Sequence, residues 1–306
     1  MRWTKHGHVF VPDGSRAWAR HYAFPPTPVW RADGTLRLYV CFCDEHTVGR
    51  IGWVDVDPDD PARVLGVSEQ PVLDIGRPGA FDENGVLPTC VLEVGDELWM
   101  YYVGYQLGDK LPYFQFEGLA VSRDGGESFE RRQQVPVIDR SDAELTNRTS
   151  AFVRHATGGG FEMWYVGGTD WTEVDGKPLP VYNMRHLRSE DGVHWPDEGD
   201  VCLDFSTDDE HAFGRPWVSV RPDGTQWMFY SLRTRAKGYR IGYAESSDGL
   251  NWTRRDADVG IDVGPEPWES EEIAYAAVVD RGDTTYLFYN GNERGKTGFG
   301  YATLSS

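Results

Sequence analysis

The sequence predicts an all-β protein made of similar four-stranded units, and two observations support this prediction. The first is a short run of aromatic and β-branched residues with a tyrosine at its centre, which recurs along the 306 residues. The five tyrosines are separated by 63, 63, 65 and 59 residues: Tyr39, Tyr102, Tyr165, Tyr230 and Tyr289. The second is that the segments around each run recur with it. Such a period is typical of repeat folds, and these runs favour strands because their side chains fit a pleated surface.

Each unit shows the same order of elements. A short first strand leads through a turn rich in Gly and Asp to the tyrosine strand, and a third strand follows. We predict first strands at 27–30, 88–91, 151–153, 216–219 and 276–279, and third strands at 50–54, 118–121, 183–187, 240–244 and 298–302. A fourth strand closes four of the units, at 71–73, 136–138, 201–203 and 259–261. Four antiparallel strands repeated five times are the pattern of a five-bladed β-propeller.

The N-terminus is predicted to complete the last unit. That unit ends after its third strand at 302–304, whereas residues 1–10 precede the first unit and have no unit of their own. We therefore expect the N-terminal strand to close the last blade, which removes two open sheet edges. No linker interrupts the repeat, so we assign residues 1–306 to a single domain. Its blades span approximately 20–74, 82–139, 145–204, 211–262, and 271–304 plus 1–10.

Composition and charge restrict the classes of partner. The net charge is −19, from 49 acidic and 30 basic residues, which argues against nucleic acid and anionic membranes as partners. No run approaches the roughly 20 apolar residues that cross a membrane. No secretory signal is visible, so we expect a cytoplasmic location. Cys41 and Cys43 share one face of a strand, which is poor disulfide geometry, and we expect the 4 cysteines to be free thiols.

Acidic residues precede the first strands at similar offsets. Asp82, Glu144 and Glu269 each lie nine residues before the valine that aligns the first strands, and Glu210 and Glu271 lie eight and seven residues before it. In a propeller the innermost strand of each blade lines the central channel, and the loops that enter these strands surround one mouth. We therefore expect the carboxylates at similar heights around one axis.

Converging carboxylates are suited to acid–base chemistry. Crowding raises the pKa of one carboxyl and leaves a protonated acid beside an ionised partner, which is the pair that glycoside hydrolysis needs. We predict Asp82, Glu144 and Glu271 as catalytic residues. Further charged and aromatic residues are predicted to bind substrate: His21, Tyr22, Glu83, Arg148, Trp171, Glu210, His211, Arg215, Trp268, Glu269 and Tyr275. The alternative is a structural network in which these acids cap loops or pair with arginines.

Together, the five units, the acids before the first strands, the strand at 99–104 and the turns of the form Ser-x-Asp-Gly resemble the five-bladed glycosidase superfamily. This superfamily includes hydrolases of glycoside hydrolase family 43, the invertases and levansucrases, and the β-mannoside phosphorylases. The resemblance implies catalytic acids on the first three blades, where Asp82 is similar to the second and Glu144 to the third. The first-blade Asp is absent from residues 22–28. Either Glu271, Glu269 or Glu210 replaces it, or phosphate attacks in its place, as the phosphorylase resemblance implies.

Three functions stay open. The first is a carbohydrate-active enzyme that cleaves or transfers a glycosyl group with paired carboxylates at the channel mouth, acting on a small-molecule or oligosaccharide substrate. The second is a propeller reused for a cyclisation or isomerisation of a small biosynthetic metabolite, and the third is a non-catalytic binding propeller. No cofactor is expected, since no nucleotide-binding motif or metal-ligand spacing is present, although a channel Ca²⁺ held by carboxylates stays open. The oligomeric state is not predicted.

Overall fold

The computed structural model describes residues 1–174 and 176–305, and it confirms the all-β class. Strands make up nearly all of its regular structure: β1 (Trp3–Phe10), β2 (His21–Trp30), β3 (Leu36–Cys43), β4 (Gly49–Val56), β5 (Val64–Val67), β6 (Val86–Val94), β7 (Glu97–Leu107), β8 (Tyr113–Ser122), β9 (Glu130–Arg131), β10 (Asn147–His155), β11 (Phe161–Val174), β12 (Lys177–Ser189), β13 (Asp200–Leu203), β14 (Glu210–Val220), β15 (Gln226–Thr234), β16 (Arg240–Ser246), β17 (Thr253–Arg254), β18 (Ala274–Arg281), β19 (Thr284–Asn290) and β20 (Phe299–Leu304). A 3-10 turn (Asp256–Asp258) and a short helical segment, α1 (Asn292–Gly295), are the helical elements of the described residues.

The strands pair in antiparallel groups of four, which we call units 1 to 5. Unit 1 is β2–β5, unit 2 is β6–β9, unit 3 is β10–β13, unit 4 is β14–β17, and unit 5 is β18–β20 with β1. Units 1 and 5 are separate four-stranded sheets, whereas units 2, 3 and 4 form one twelve-stranded sheet. Within this sheet, neighbouring units are joined by only one parallel residue pair each: Arg148 pairs with Phe116, and Tyr182 pairs with Ala212. Each unit therefore keeps its own antiparallel ladder.

The N-terminal strand completes unit 5, as predicted. Strand β1 runs antiparallel to β20, with Trp3 opposite Leu304 and Phe10 opposite Phe299. The indole of Trp3 is buried and donates a hydrogen bond to the carbonyl of Val259 at 2.9 Å. The two ends of the chain are thus held in one sheet, and β20 has a partner on both sides.

The fourth strands differ from the prediction in three units. They lie earlier in the chain at β5, β9 and β17, and only β13 covers its predicted segment, 201–203. Residues 71–73 and 136–138 contribute single bridges, Leu73 to Ile51 and Ile138 to Glu117. Their apolar side chains are buried in the core rather than arranged along a ladder. The apolar residues at 71–73 and 136–138 therefore pack in the core and do not form the predicted fourth strands.

Aromatic side chains join neighbouring units. The hydroxyl of Tyr39 donates a hydrogen bond to the carbonyl of Gly126 at 2.8 Å, and the indole of Trp164 donates to that of Gly249 at 2.9 Å. Tyr101 donates to the carbonyl of Gly192 in the same manner. Each acceptor lies in a Ser-x-Asp-Gly turn of the next unit. These turns thus provide a fixed docking point for the unit before them.

Two further expectations concern the thiols and the membrane. All four cysteines are free thiols in the described part of the chain: Cys41, Cys43, Cys90 and Cys202. Among residues 1–174 and 176–305, no helix has the length and apolar character needed to cross a bilayer.

Candidate functional site

A cavity lies where the units meet, and side chains from every unit line it. It has two lobes, of about 240 and 80 Å³, which share Phe24, Leu87, Tyr105, Tyr113, Tyr275 and Arg294. The larger lobe extends between units 1 and 2 and is rimmed by the exposed residues Thr47 and Leu107. The smaller lobe reaches Ser150 and Tyr182 of unit 3 and Arg215, Arg233 and Tyr239 of unit 4. We call this space the central cavity.

Bulges in the first strands shape the wall of the central cavity. Strands β2, β6, β10, β14 and β18 each contain a register shift near their start, and a bulge turns the side chains beside it. Tyr22, Ser150 and Tyr275 have φ angles of 63°, 58° and 57°. Non-glycine residues rarely adopt this left-handed conformation, which costs of order 1 kcal/mol or more and is typical of functional sites. These strained residues of the first strands line the cavity and mark it as a candidate site.

The polar lining of the central cavity consists mainly of hydrogen-bond donors. It contains six tyrosines and three arginines, and none of the described lining residues is Asp or Glu. Burial raises the pKa of Tyr113 to about 12 and raises those of Tyr105, Tyr182 and Tyr275 as well. These phenols are therefore protonated at neutral pH. The amide of Gln115 donates to the hydroxyl of Tyr105 at 2.6 Å.

Arg215 lies beneath the smaller lobe and is fully buried. Its guanidinium donates to the carbonyls of Pro26, Thr89 and Tyr275 at 3.0, 3.2 and 3.3 Å, and to the hydroxyl of Thr27 at 3.1 Å. All of these acceptors are neutral, and Arg215 forms no ion pair within the described residues. Burial lowers the pKa of Arg215 to about 9, so it is a cation at neutral pH. A buried positive charge thus stands uncompensated next to the cavity.

Glu117 is a buried carboxyl in the same region that the sequence did not single out. Its Oε1 lies 2.6 Å from the hydroxyl of Thr89, and its Oε2 accepts the backbone amide of Ala151 at 3.2 Å. Burial raises the pKa of Glu117 to about 8, so the carboxyl is mostly protonated at neutral pH. In that state it does not neutralise Arg215, although both contact Thr89.

The two principal predicted acids are fully buried within their own units. A carboxylate oxygen of Asp82 accepts from the hydroxyl of Tyr102 at 2.9 Å and from the guanidinium of Arg131 on β9 at 2.7 Å. Glu144 accepts from the hydroxyl of Tyr165 at 2.7 Å and from the backbone amide of Gly199 at 2.9 Å. Neither carboxylate lines the central cavity. Each one joins a loop to the tyrosine strand and to the outer edge of its unit.

The other predicted acids follow the same pattern or are exposed. Glu269 accepts from the hydroxyl of Tyr289 at 2.6 Å and from Lys5 on β1 at 2.8 Å. Glu210 accepts from both terminal nitrogens of Arg254 on β17, at 2.7 and 2.9 Å. Glu271 is exposed, and its backbone amide donates to the side chain of Asn292. The predicted acids therefore do not converge on the central cavity. Four of them instead make similar contacts within successive units.

Of the predicted substrate-binding residues, the structure places Tyr22, Arg215 and Tyr275 on the wall of the central cavity. Trp171 packs edge-on against the lining residue Tyr113, with ring centroids 5.8 Å apart. His211 is buried and its ring nitrogens have no partner among the described residues. Burial and the neighbouring charge of Arg233 lower the pKa of His211, which is therefore neutral near pH 7.

The remaining predicted substrate-binding residues lie outside the lining. The carboxylate of Glu83 accepts the backbone amide of Gly79 at 2.7 Å, and His21 is exposed at the start of β2. Arg148 is buried and donates to the carbonyls of Asp139 and Pro196. Trp268 stacks on His8, with ring centroids 5.1 Å apart. These contacts hold loops in place and leave none of the four residues on the cavity wall.

Several lining residues were missed because they lie beyond the repeated run. Three of them occupy one position in units 2, 3 and 4, namely three residues before the residue that pairs with the repeat tyrosine. They are Gln115, Tyr182 and Tyr239. Tyr105 and Arg233 likewise lie three residues after the repeat tyrosines of units 2 and 4. A prediction that extended the tyrosine strand and the third strand towards the loop end of each unit would have included these residues.

No metal centre is evident in the described part of the chain. Residues 1–174 and 176–305 contain no group of three or more His, Cys, Asp or Glu side chains placed to hold a metal ion. The structure therefore gives no support to a Ca²⁺ ion in the channel.

Solved structures of similar fold include many glycosidases. No protein-family model matches the chain. A glycoside hydrolase has a TM-score of 0.76 and 18% identity, covering 99% of this chain and 91% of that one. A thermostable family-43 glycoside hydrolase has a TM-score of 0.66 and 16% identity over 94% and 91%. A structure from work on mannoside phosphorylases of family GH130 has a TM-score of 0.69 and 15% identity over 99% and 93%. The resemblance to the glycosidase propellers is thus confirmed at the level of the fold.

Two curated proteins match over the full length of the chain. They are the uncharacterized protein Rv1502 of Mycobacterium tuberculosis strain H37Rv and the uncharacterized protein MT1551 of strain CDC 1551. Each is 34% identical over 306 residues, which is 100% of this chain and 100% of the relative. The chain therefore belongs to the family of the uncharacterized mycobacterial protein Rv1502.

Proposed function

We propose that the protein is a carbohydrate-active enzyme built as a single five-bladed propeller, with its substrate in the central cavity. In this proposal units 1 to 5 are the blades, and the parallel pairs between units 2, 3 and 4 are contacts between neighbouring blades. The similarity in fold to glycoside hydrolases supports it. One of the similar solved structures is described as part of the GH130 family of mannoside phosphorylases, which contains glycoside hydrolases that target β-1,2-mannosidic linkages.

The lining of the central cavity is the observation that carries this proposal. Aromatic rings from all five units surround it, and several of them bear a hydroxyl group: Tyr22, Tyr105, Tyr113, Tyr182, Tyr239 and Tyr275. Ligand sites combine apolar walls with a few placed polar groups, and a tyrosine supplies both an apolar face and a polar handle. A sugar ring has apolar faces and a rim of hydroxyl groups, so it complements such a wall.

Two versions of the proposal differ in their chemistry. In the first, Asp82, Glu144 and Glu271 cleave or transfer the glycosyl group, as the sequence predicts. In the second, the same scaffold processes or binds its carbohydrate without an acid pair. The second is favoured by the cavity itself, since the charged residues among its described lining are Arg215, Arg233 and Arg294.

Turnover of aryl glycosides tests the proposal. The panel holds arabinofuranosides, xylosides, galactosides, mannosides and fructosides, each with and without phosphate, and thermal shift on the matching free sugars reports binding. Release of the aryl alcohol, or a sugar-dependent rise in Tm, supports a carbohydrate function. A folded protein that neither binds nor cleaves any member contradicts it.

Variants separate the two versions. Asp82→Asn and Glu144→Gln keep the size of each side chain, and Glu162→Gln is the matched control. Glu162 is also a buried acid and pairs with Arg154 at 2.9 Å and with Arg188, near the opposite hairpin. Loss of turnover in the first two variants, with Tm equal to that of the control, supports the acid-pair version. Equal turnover in all three variants contradicts it.

A further inference from the structure

We propose that the ligand of the central cavity carries an oxyanion, which Arg233 and Arg294 bind. The ligand class is a sugar that bears a carboxylate, sulfate or phosphate group. The carbohydrate part of this inference rests on the proposed function, whereas the oxyanion part rests on the charges of the cavity.

Arg233 and Arg294 have free guanidinium groups on the cavity wall. Arg233 lies at the loop end of β15, with its guanidinium carbon 5.6 Å from the ring centroid of Tyr239. Arg294 lines both lobes. No described residue accepts a hydrogen bond from either guanidinium or forms an ion pair with it. Arg131, by contrast, pairs with the carboxylate of Asp82 at 2.7 Å.

The backbone holds Arg294 in an unusual conformation. Its φ angle is 57°, and that of Glu293 before it is 52°. Such angles are costly for residues other than glycine and persist only where the surroundings fix them. The carboxylate of Glu272 accepts the backbone amides of Arg294 and Tyr239. Glu272 therefore anchors the backbone of this segment, and the guanidinium of Arg294 remains on the cavity wall.

Arg215 adds a third positive charge beneath the same lobe. It is 2% exposed and is bonded to neutral acceptors, so its charge has no counter-ion among the described residues. A buried charge without a partner is costly. An anion in the smaller lobe would reduce that cost without displacing any existing hydrogen bond of Arg215.

The rest of the lining also suits an acceptor-rich ligand. The hydroxyls of Tyr113 and Tyr275 have no hydrogen-bond partner among the described residues, and both phenols are protonated at neutral pH. The whole chain carries a net charge of −19, which repels anions at long range. Binding of an oxyanion by this acidic protein would therefore depend on a local cluster of positive charge.

Matched sugars test the inference on the full-length protein. Isothermal titration calorimetry compares each neutral sugar (galactose, glucose and mannose) with its uronic acid, 6-sulfate and 6-phosphate, and inorganic phosphate, sulfate and acetate are titrated alone. Because hydrogen bonds to charged groups are strong, we expect one charged sugar to bind roughly tenfold to hundredfold more tightly than its neutral parent. Which derivative binds best identifies the oxyanion.

Arginine variants decide whether the cluster is responsible. In Arg233→Gln and Arg294→Gln the preference for the charged sugar should be lost, while weak binding of the neutral parent is retained. The control is Arg63→Gln, which removes an exposed arginine paired with Asp57, and it should keep the preference.

The possible outcomes separate this inference from the proposed function. Equal affinity for charged and neutral sugars overturns the inference and leaves a carbohydrate function in place. A preference for the charged sugar that survives in both arginine variants also overturns it. Binding of a free oxyanion, lost in the variants, with no contribution from any sugar, supports the anion site and contradicts the carbohydrate proposal. If none of these compounds binds, both fall.

Discussion

Glu117 shows how one buried side chain makes the stability of the folded protein depend on pH. Its carboxyl is fully buried on β8 and is held by Thr89 and Ala151. Burial raises its pKa from 4.5 to about 8. Between pH 4.5 and about 8, Glu117 therefore keeps its proton in the folded protein but has lost it in the unfolded chain. Stability from this group is complete below pH 4.5 and is lost as the pH rises through 8.

Glu117→Gln should remove this dependence. The amide keeps the size and hydrogen-bonding groups of the protonated acid but does not ionise. We expect the Tm of the wild type to fall between pH 4.5 and 8, and that of the variant to stay flatter. Glu162→Gln is the control. Burial raises the pKa of Glu162, but Arg154 and Arg188 outweigh it and lower the pKa below its usual value. An unchanged slope in Glu117→Gln would show that Glu117 does not titrate in this range.

The repeat tyrosines show what spacing can and cannot predict about a residue. Tyr102, Tyr165 and Tyr289 each donate to a buried acid of their own unit. Tyr39 instead donates to the turn of the next unit, which is the role that Tyr101 has in unit 2. The period of 63 residues therefore aligned the strands but misaligned one residue within them. Adjacent strand residues point to opposite faces, so a shift of one position changes every contact.

At the level of elements, strand β1 stabilises unit 5 through charge as well as pairing. Lys5 reaches the carboxylate of Glu269 at 2.8 Å, and the side chain of Glu269 is only 3% exposed. Glu269 also accepts from Tyr289. Removing Lys5 leaves a buried carboxylate without its counter-ion.

Lys5→Met should therefore lower the free energy of unfolding by roughly 3 kcal/mol, at the low end for a broken buried pair because Lys5 is partly exposed. Urea denaturation monitored by tryptophan fluorescence gives the value. Lys237→Met, which removes an exposed lysine, should have little effect. Equal stability of the two variants would mean that β1 is held by its backbone ladder alone.

Strand order could be predicted more reliably than strand position. The first three strands of each unit follow from aromatic runs and turns, and β1 follows from the strand missing at the other end. The short outer strands β9 and β17 contain Glu130–Arg131 and Thr253–Arg254. Two polar residues carry no apolar periodicity. Their arginines are instead fixed by Asp82 and Glu210, which are distant in sequence.

At the scale of the whole molecule, three of the predicted substrate-binding residues, Tyr22, Arg215 and Tyr275, line the central cavity, whereas none of the predicted acids does. The acids repeat at similar offsets because, in units 2 to 5, each of them joins a loop to the outer edge of its unit. The cavity needs no such repetition. Arg233 and Arg294 come from non-equivalent positions of units 4 and 5, so only the assembled units bring them together. A repeat pattern reveals what the units share, whereas this site is built from their differences.

Arg215→Lys tests how strongly the centre holds the units together. Lysine has three donors on one nitrogen and cannot reach four acceptors spread over units 1, 2 and 5. Each buried carbonyl left unpaired costs about 1–3 kcal/mol, so we expect a loss of roughly 3 kcal/mol or more. The control is Arg221→Lys, at the outer hairpin of unit 4, where we expect a lysine to keep the ion pair with the exposed carboxylate of Asp280. Similar stability of both variants would contradict a central role for Arg215.

The position of Arg215 also limits how this chain could evolve. Arg215 belongs to unit 4. Its guanidinium donates hydrogen bonds of 3.0–3.3 Å to backbone carbonyls of units 1, 2 and 5. If the five units form the proposed propeller, duplicating or deleting one unit would widen or narrow it and move those carbonyls away from a planar group of fixed size. A change in copy number would then leave a buried charge without acceptors, and the chain would have to replace this residue in the same step. In the proposed five-bladed arrangement, gain or loss of a unit is therefore incompatible with Arg215 unless that residue changes as well.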